Sequence, residues 1–264
     1  MSNIGVLGAG TWGIALARML YHNGHHVTVW SALPQEVKDL SATRKHPNLP
    51  GMEIPAGISF TERVEEVCRQ KDILLFAVPS PFVRSTAKAA APYISDGQII
   101  VDVAKGIEAD TLFTMTQIIR SEITNPNVKL VALSGPTHAE EVALDLPTGI
   151  LAACEDRSLA EFVQDAFMSE NFRVYTSPDP VGAELGSALK NVIALCAGIT
   201  DGLGCGDNTK AMLMTRGLTE TARLGVSLGA HKDTFAGLAG VGDLIVTCTS
   251  MHSRNRRAGI LIGQ

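Results

Sequence analysis

A glycine-rich segment near the N-terminus limits the possible folds of this chain more than any other feature. The run G-A-G-T-W-G at residues 8–13 directly follows an apolar stretch, residues 4–7, and opens a helical pattern. Glycine permits the tight bend, lets a pyrophosphate approach the backbone and allows the helix to pack closely on the strand. The helix N-terminus offers phosphates free N–H groups and a partial positive charge. The segment therefore predicts a dinucleotide site built on Gly8, Gly10 and Gly13.

Short apolar runs alternate with helical patterns through most of the chain. The predicted strands are residues 4–7, 27–30, 73–78, 99–103, 129–133 and 149–153, and the predicted helices are residues 11–22, 84–91, 111–121 and 159–167. Strand–helix alternation of this kind is typical of parallel pairing. We therefore predict a doubly wound, Rossmann-type α/β sheet. Residues 46–57 hold three prolines and two glycines, which indicates a loop.

The pattern changes after Pro178 and Pro180, where strand-like runs fade and helical ones dominate, at residues 182–197, 208–224 and 257–262. We predict a dinucleotide-binding domain over residues 1–178 and an all-α substrate-binding domain over residues 179–264. The last helical pattern reaches Gln264 without a cap or a breaker. We therefore expect the second domain to be truncated.

Composition excludes several classes of partner. The chain carries 22 Lys+Arg against 27 Asp+Glu, a net charge of −5, which disfavours nucleic acid and anionic lipid as partners. A helix needs about 20 apolar residues to span a bilayer, and no apolar run in the chain is that long, so we expect no membrane insertion. The five cysteines are scattered, with no C-x-x-C pair, and no metal-ligand spacing is present. This pattern favours a cytoplasmic protein.

The choice between NAD and NADP depends on the end of the second predicted strand. An acidic residue there usually holds the ribose hydroxyl of NAD. Residues 30–33 read W-S-A-L, with no acidic residue before Glu36 to repel a 2′-phosphate. Lys38, Arg44 and Lys45 lie farther along and offer positive charge. We expect either cofactor to bind, with a slight preference for NADP.

Two lysines are candidates for the chemistry. Lys105 follows a predicted strand, at the edge where open α/β sheets bind ligands, and S-G-P-T at residues 134–137 forms a similar turn. Lys190 lies among small apolar residues in a predicted helix. Burial and a nearby cation both lower the pKa of a lysine, as a general base at neutral pH requires.

Two further segments complete the candidate site. G-V-G-D at residues 240–243 places an acidic residue after a glycine-rich turn, and S-R-N-R-R at residues 253–257 is a compact cationic cluster. Arginine in such a cluster can bind a phosphate through two hydrogen bonds. The alternative is a solvated helix start with Ser253 as its cap. Spacing alone leaves both interpretations open.

The chain resembles the bacterial NAD(P)-dependent glycerol-3-phosphate dehydrogenases. The segments that carry the resemblance are G-A-G-T-W-G-I-A-L-A, A-K-G-I-E, S-G-P-T-H-A-E-E-V, L-K-N-V-I-A-L-C-A-G-I, G-L-A-G-V-G-D-L-I-V-T-C-T and H-S-R-N-R-R, in that order. The resemblance implies interconversion of dihydroxyacetone phosphate and sn-glycerol 3-phosphate, and a role in supplying glycerol 3-phosphate for glycerophospholipid synthesis. It also suggests a homodimer.

The resemblance also implies roles for individual residues, with Lys190 as the proton donor and acceptor. Together with the glycine-rich run, the expected cofactor contacts are Gly8, Gly10, Thr11, Trp12, Gly13, Lys105, Ala139 and Arg254. The expected substrate contacts are Lys105, Gly135, Thr137, Lys190, Asp243, Ser253, Arg254 and Asn255. The family often has a basic residue where this sequence has Ala32, and its members continue past Gln264.

Two other functions compete with this one. One is a dehydrogenase of the same fold acting on 3-hydroxyacyl thioesters, for which His138 and Glu141 offer a His–Glu pair at helical spacing. The other is a non-catalytic module that senses a dinucleotide. The cationic cluster at residues 253–257 favours a small phosphorylated substrate over both alternatives.

Overall fold

Eight strands form one sheet in the computed structural model, which describes residues 1–264. They are β1 (Asn3–Leu7), β2 (His26–Trp30), β3 (Ser59–Thr61), β4 (Ile73–Phe76), β5 (Ile99–Asp102), β6 (Lys129–Ser134), β7 (Thr148–Ala153) and β8 (Phe172–Ser177). The spatial order is β3-β2-β1-β4-β5-β6-β7-β8, and the first six strands in this order are parallel. This order, with β1 and β4 central, confirms the doubly wound prediction.

The far edge of the sheet departs from uniform parallel pairing. β7 runs antiparallel to β6, and β8 runs parallel to β7. The link between β6 and β7 contains only a five-residue helix, α6 (Ala139–Ala143). Because so short a helix does not carry the chain back along the sheet, β7 starts at the end where β6 finishes. The expectation of parallel pairing throughout is therefore wrong at this edge.

Helices cover both faces of the sheet. They are α1 (Thr11–His22), α2 (Pro34–Thr43), α3 (Val64–Cys68), α4 (Val83–Ala90), α5 (Met115–Glu122) and α7 (Arg157–Phe167). Alternate residues of β4 enter two separate cores, with Ile73 and Leu75 in one and Leu74 and Phe76 in the other. Burial on both faces explains why this strand is apolar throughout.

The remaining long helices follow the sheet: α8 (Pro180–Gly202), α9 (Gly206–Ser227), α10 (Asp243–Thr249) and α11 (Arg254–Gly263). Glycines let α8 and α11 pack with their backbones almost touching. A Cβ at Gly198 would lie 2.1 Å from the Arg256 carbonyl oxygen, and one at Gly259 would lie 2.1 Å from that of Leu195. The change from strands to helices falls between β8 and α8, whereas the division into two domains at residue 178 stays a prediction.

Most predicted elements match the structure to within a few residues, with one clear error. The helix predicted over residues 111–121 begins only at Met115, because Thr114 and Gln117 form a capping box. Residues before it form a loop closed by a bridge between Ile107 and Thr114. Strands β3 and β8 and helices α2, α3 and α10 were not predicted. None of the helices combines the length and the apolar character that a membrane-spanning helix needs.

Candidate active site

The glycine-rich turn between β1 and α1 is closely packed at two of its three glycines. Gly8 has a φ of 123°, and a Cβ there would lie 2.8 Å from the Ala77 carbonyl carbon and oxygen. A Cβ at Gly13 would lie 2.1 Å from the Gly8 carbonyl oxygen. These two glycines are therefore required by the turn itself and by the close approach of α1 to the sheet.

Gly10 is different, because a Cβ at this position would meet no atom within 4 Å. The residue is exposed, and the N-terminus of α1 that follows it has no side-chain cap. Open space above uncapped helical amides is the arrangement that receives a pyrophosphate. The turn therefore fits a dinucleotide, and Gly10 is the glycine whose missing side chain leaves room for it.

This difference predicts opposite behaviour for two alanine variants. We expect Gly10→Ala to change Tm little, because its φ of −66° suits alanine, yet to weaken dinucleotide binding by at least about tenfold. We expect Gly13→Ala to lower the free energy of unfolding by about 2 kcal/mol, because its Cβ overlaps the Gly8 carbonyl oxygen. Thermal melts and dinucleotide titrations check both. Gly10→Ala with wild-type affinity contradicts the assignment.

The predicted loop over residues 46–57 supplies a wall of this site that the sequence did not reveal. The Asn48 side-chain amide donates to Thr11 Oγ1 at 3.3 Å, so the loop reaches the first residue of α1. The Asn48 backbone N–H donates to His46 Nδ1 at 3.2 Å, and His46 is buried. Burial lowers the pKa of His46, while the Glu36 carboxylate and the Ala9 carbonyl oppose the shift.

A second cluster joins the loop after β5 to helices α8 and α10. The Lys105 ammonium donates to Asp243 Oδ2 at 2.8 Å and to the Gly135 carbonyl oxygen at 2.9 Å. The Lys190 ammonium donates to Asp243 Oδ1, and Asp243 is completely buried. The structure therefore brings together four of the predicted residues that are widely separated in sequence: two lysines share the Asp243 carboxylate, and Gly135 binds one of them.

Small residues allow this arrangement. Asp243 begins α10 directly after a π-helical turn, Leu238–Gly242. A Cβ at Gly186 of α8 would lie 2.5 Å from the Ala239 carbonyl oxygen in that turn. Because glycine is present instead, the turn sits against α8, and Asp243 lies within hydrogen-bonding reach of Lys190 one turn further along the helix.

The charges in this cluster set the protonation of Lys190. Burial and the neighbouring Lys105 charge lower the pKa of Lys190 to about 7, although Asp243 opposes both by favouring the charged form. Burial alone would raise the pKa of Asp243, but the two ammonium groups hold it below its ordinary value. Asp243 is therefore a fixed negative charge, and Lys190 gains or loses a proton near neutral pH.

The loop that carries Lys105 is anchored by an ion pair that the sequence did not indicate. The Arg84 guanidinium donates to both carboxylate oxygens of Glu108, at 2.7 and 2.5 Å. The Thr111 hydroxyl also donates to Glu108, at 2.5 Å. The hydrogen bonds from Arg84 and Thr111 lower the pKa of Glu108 to about 2. A charged Glu108 therefore holds the loop on α4 throughout the neutral range.

The other predicted residues lie on the turn that holds Gly135 and at the starts of α6 and α11. The Thr137 hydroxyl donates to the same Gly135 carbonyl as Lys105, at 3.1 Å, and Ala139 begins α6. Ser253 caps α11 by accepting from the Arg256 amide at 3.2 Å, as the alternative interpretation of the cluster predicted. Arg256 itself is bound to Asp201. Arg254 is exposed, and Asn255 is half-buried.

His138 lies between the two groups of residues. Its ring is 5.5 Å from that of His252, so the start of α11 lies beside the Gly135–Thr137 turn. Burial and the Lys190 charge lower the pKa of His138, and its Nε2 is buried without a partner. Its side chain makes no hydrogen bond with Glu141, which joins it only through a backbone amide. The His–Glu pair required by the 3-hydroxyacyl alternative is therefore not formed.

Comparison with known proteins agrees with this geometry. Residues 3–160 match the model for the N-terminus of NAD-dependent glycerol-3-phosphate dehydrogenase, and residues 179–264 match the model for its C-terminus. The chain is 63% identical to glycerol-3-phosphate dehydrogenase [NAD(P)+] 2 of Lactobacillus delbrueckii subsp. bulgaricus, and the alignment covers all of this chain and 80% of that one. A relative from Agathobacter rectalis, named glycerol-3-phosphate dehydrogenase [NAD(P)+], is 54% identical, with coverage of 100% and 78%.

Solved structures with a similar fold indicate the same family. The glycerol-3-phosphate dehydrogenase of Coxiella burnetii superposes with a TM-score of 0.94 at 34% identity, over 99% of this chain and 80% of that one. A ketopantoate reductase from Ralstonia eutropha shares the fold at 20% identity, with a TM-score of 0.65 over 87% and 76% of the two chains. The two family matches together span nearly the whole sequence, and the resemblance noted from its motifs is confirmed. The chain belongs to the NAD-dependent glycerol-3-phosphate dehydrogenase family.

Proposed function

We propose that this chain is an NAD(P)-dependent oxidoreductase that interconverts dihydroxyacetone phosphate and sn-glycerol 3-phosphate. The observation that carries the proposal is the pair of lysines held on one buried carboxylate, at the edge of the sheet where a dinucleotide fold binds its ligands. The names of the relatives support the same reaction. The cofactor side of the site is formed by the glycine-rich turn, the uncapped N-terminus of α1 and the loop at residues 46–48.

The reaction needs a hydride and a proton, and the chain supplies the proton. Bound NAD(P)H supplies the hydride that reduces the carbonyl carbon. In the reductive direction, the Lys190 ammonium donates a hydrogen bond to the carbonyl oxygen, which polarises the carbonyl, and then gives that oxygen its proton. In the oxidative direction, Lys190 as an amine takes the proton from the C2 hydroxyl. A pKa of about 7 suits a group that must do both near neutral pH.

Asp243 and Lys105 adjust this proton transfer in opposite directions. Asp243 holds the Lys190 ammonium in place and favours its charged form. Lys105 disfavours that form, and together with burial it outweighs Asp243, because the pKa of Lys190 is lowered overall. Lys105 also binds the Gly135 carbonyl oxygen, and its partly exposed ammonium faces the site, where it contacts substrate and cofactor.

The phosphate of the substrate lies toward the start of α11 in this proposal. Ser253 caps that helix, and Arg254 and Asn255 are its first residues, where free N–H groups and the helix dipole add to the arginine charge. Arg256 is bound to Asp201 and therefore supports the helix rather than the substrate. Gly135 and Thr137 line the opposite side, and Ala139 and Arg254 border the cofactor.

We extend the proposal to the setting of the enzyme. The glycerol 3-phosphate it makes supplies glycerophospholipid synthesis, and the active form is a cytoplasmic homodimer. All five cysteines are free thiols, which agrees with a reducing compartment.

The direct test compares substrates in a spectrophotometric assay. We expect reduced-nicotinamide absorbance to fall on addition of dihydroxyacetone phosphate, with much slower loss for dihydroxyacetone, which lacks the phosphate. Inorganic phosphate should compete with the substrate. Reduction of a 3-ketoacyl thioester at a comparable rate supports the 3-hydroxyacyl alternative. Dinucleotide binding without turnover of any phosphorylated ketone supports the sensing alternative.

A further inference from the structure

The end of β2 meets the glycine-rich turn. This strand end therefore lies where a dinucleotide-binding fold contacts the adenosine ribose. The Gly8 amide donates to the Trp30 carbonyl oxygen at 3.0 Å, which joins the turn to the last residue of β2. The next residues, Ser31 and Ala32, carry no charge. The relatives are named for both NAD and NADP, which leaves the discrimination at this position open.

A carboxylate reaches this position from the following helix. The Ser31 hydroxyl donates to Glu36 Oε2 at 2.5 Å, and the same hydroxyl oxygen accepts from the Leu33 amide at 3.1 Å. Glu36, in the first turn of α2, therefore folds back onto the end of β2. Its Oε1 has no donor from the protein, so one carboxylate oxygen is left to accept a hydrogen bond from a ligand.

His46 is linked to the dinucleotide turn through Asn48, whose backbone N–H donates to His46 Nδ1 and whose side-chain amide donates to Thr11 Oγ1. The Glu36 charge raises the pKa of His46, but burial outweighs it and lowers that pKa. His46 Nδ1 accepts from the Asn48 amide, so the neutral ring keeps its proton on Nε2. A neutral His46 offers no positive charge to a phosphate at this corner.

The nearby cations do not compensate for Glu36. The Arg44 guanidinium donates to the Ile58 carbonyl oxygen at 2.7 Å and stacks over the Phe60 ring at 5.4 Å, which holds it on β3. Lys38 and Lys45 are exposed and form no ion pair with Glu36 or any other residue. None of the three cations that the sequence offered for a 2′-phosphate is therefore paired with Glu36, and Arg44 is engaged by Ile58 and Phe60 instead.

We propose that Glu36, held by Ser31, is the residue that selects the cofactor: it accepts a hydrogen bond from the 2′-hydroxyl of the adenosine ribose and repels a 2′-phosphate, so that this chain prefers NAD to NADP. The inference deepens the proposed function and rests on dinucleotide use by the same site. It reverses the slight preference for NADP expected from the sequence. The carboxylate that is absent from the end of β2 in the sequence is supplied by α2 in the fold.

The test measures binding, so it does not depend on turnover. We expect isothermal titration of the whole chain to give a Kd for NAD at least about tenfold lower than that for NADP. Glu36→Gln keeps an acceptor for the Ser31 hydroxyl but removes the charge, so NADP binding should tighten by about tenfold while NAD binding weakens slightly. Asp39→Asn is the matched control, because it removes the same charge from an exposed position of the same helix.

The possible outcomes separate this inference from the proposed function. Equal affinities of the wild-type chain for the two dinucleotides overturn the role of Glu36 and leave the proposed function standing. The same conclusion follows if Glu36→Gln, with a wild-type thermal melt, keeps the wild-type ratio of affinities. An equal shift in Asp39→Asn assigns the effect to general charge and overturns the role too. Glu36→Ala serves as a second variant, with the same expected direction. Failure to bind either dinucleotide contradicts both proposals.

Discussion

Lys190→Ala should lower kcat by about 10³-fold while leaving dinucleotide affinity nearly unchanged. The substitution removes the group that protonates the carbonyl oxygen. It leaves intact the glycine-rich turn, which is formed by β1 and α1. Asp243 keeps its ion pair with Lys105 in the variant, so no buried carboxylate is left without a partner. Steady-state rates and dinucleotide titrations on the same preparation measure both effects.

The matched control for this variant is Lys210→Ala. Lys210 is also a largely buried lysine paired with a carboxylate, Asp201 at 2.6 Å, in the same helical part of the chain. It lies outside the lysine cluster, so we expect near wild-type kcat. A Lys190→Ala protein that keeps substantial activity contradicts the assignment of proton transfer to Lys190. Equal losses in the two variants would indicate a general structural effect.

Asp243→Asn should be the most destabilising single change at the site, with a loss of about 3 kcal/mol in the free energy of unfolding near pH 6. The variant leaves Lys105 and Lys190 as neighbouring cations without the carboxylate that separates them. Because Asp243 raises the pKa of Lys190, its removal lowers that pKa further. The loss should therefore shrink as the pH rises and Lys190 becomes neutral. Urea unfolding at several pH values measures this dependence.

Asp201→Asn provides the comparison for Asp243→Asn. Asp201 also bridges two cations, Lys210 and Arg256, but it is removed from the two lysines of the site. We expect it to reduce stability without changing the pH dependence of catalysis. If Asp243→Asn is as stable as wild type at low pH, the buried carboxylate does not hold the lysine cluster together.

The sequence predicted those features whose physical cause is local. The strand–turn–helix unit at residues 8–13 was predicted because glycine spacing and hydrophobic periodicity are both read within one short segment. Strand β3 was missed because three residues after a proline-rich loop carry too little periodicity. Strand β8 was missed because apolar and polar residues alternate only at the start of its run F-R-V-Y-T-S, which ends in two polar residues.

The sequence predicted which residues form the site better than it predicted the contacts between them. The resemblance indicated that Lys105, Lys190 and Asp243 act together, but the bridging of both lysines by one carboxylate is seen only when α8 and α10 pack on the sheet. Glu36 was dismissed because it lies beyond the end of β2 in sequence. The fold returns it to that strand end through Ser31. His46 and Asn48, which lie in the proline-rich loop, were not predicted as site residues either, because their contacts with the glycine-rich turn are tertiary.

The central claim is that Lys190, with a pKa lowered to about 7 by burial and the Lys105 charge, gives and takes the proton. Its most direct test is the pH profile of kcat/KM in both directions, which reports groups of the free enzyme and substrate. Oxidation of glycerol 3-phosphate needs the amine, so its kcat/KM should rise with pH through about 7 and then level off. Reduction of dihydroxyacetone phosphate needs the ammonium, so its kcat/KM should fall over the same range.

The substrate phosphate also titrates, with a second pKa of about 6, and Asp243→Asn separates its titration from that of Lys190. Because the Asp243 charge raises the pKa of Lys190, both limbs should move to lower pH in this variant. A limb that belongs to the substrate phosphate would stay in place. Opposite slopes near neutral pH that shift together in Asp243→Asn are the result we predict. Flat profiles, or limbs that Asp243→Asn does not move, would contradict the account.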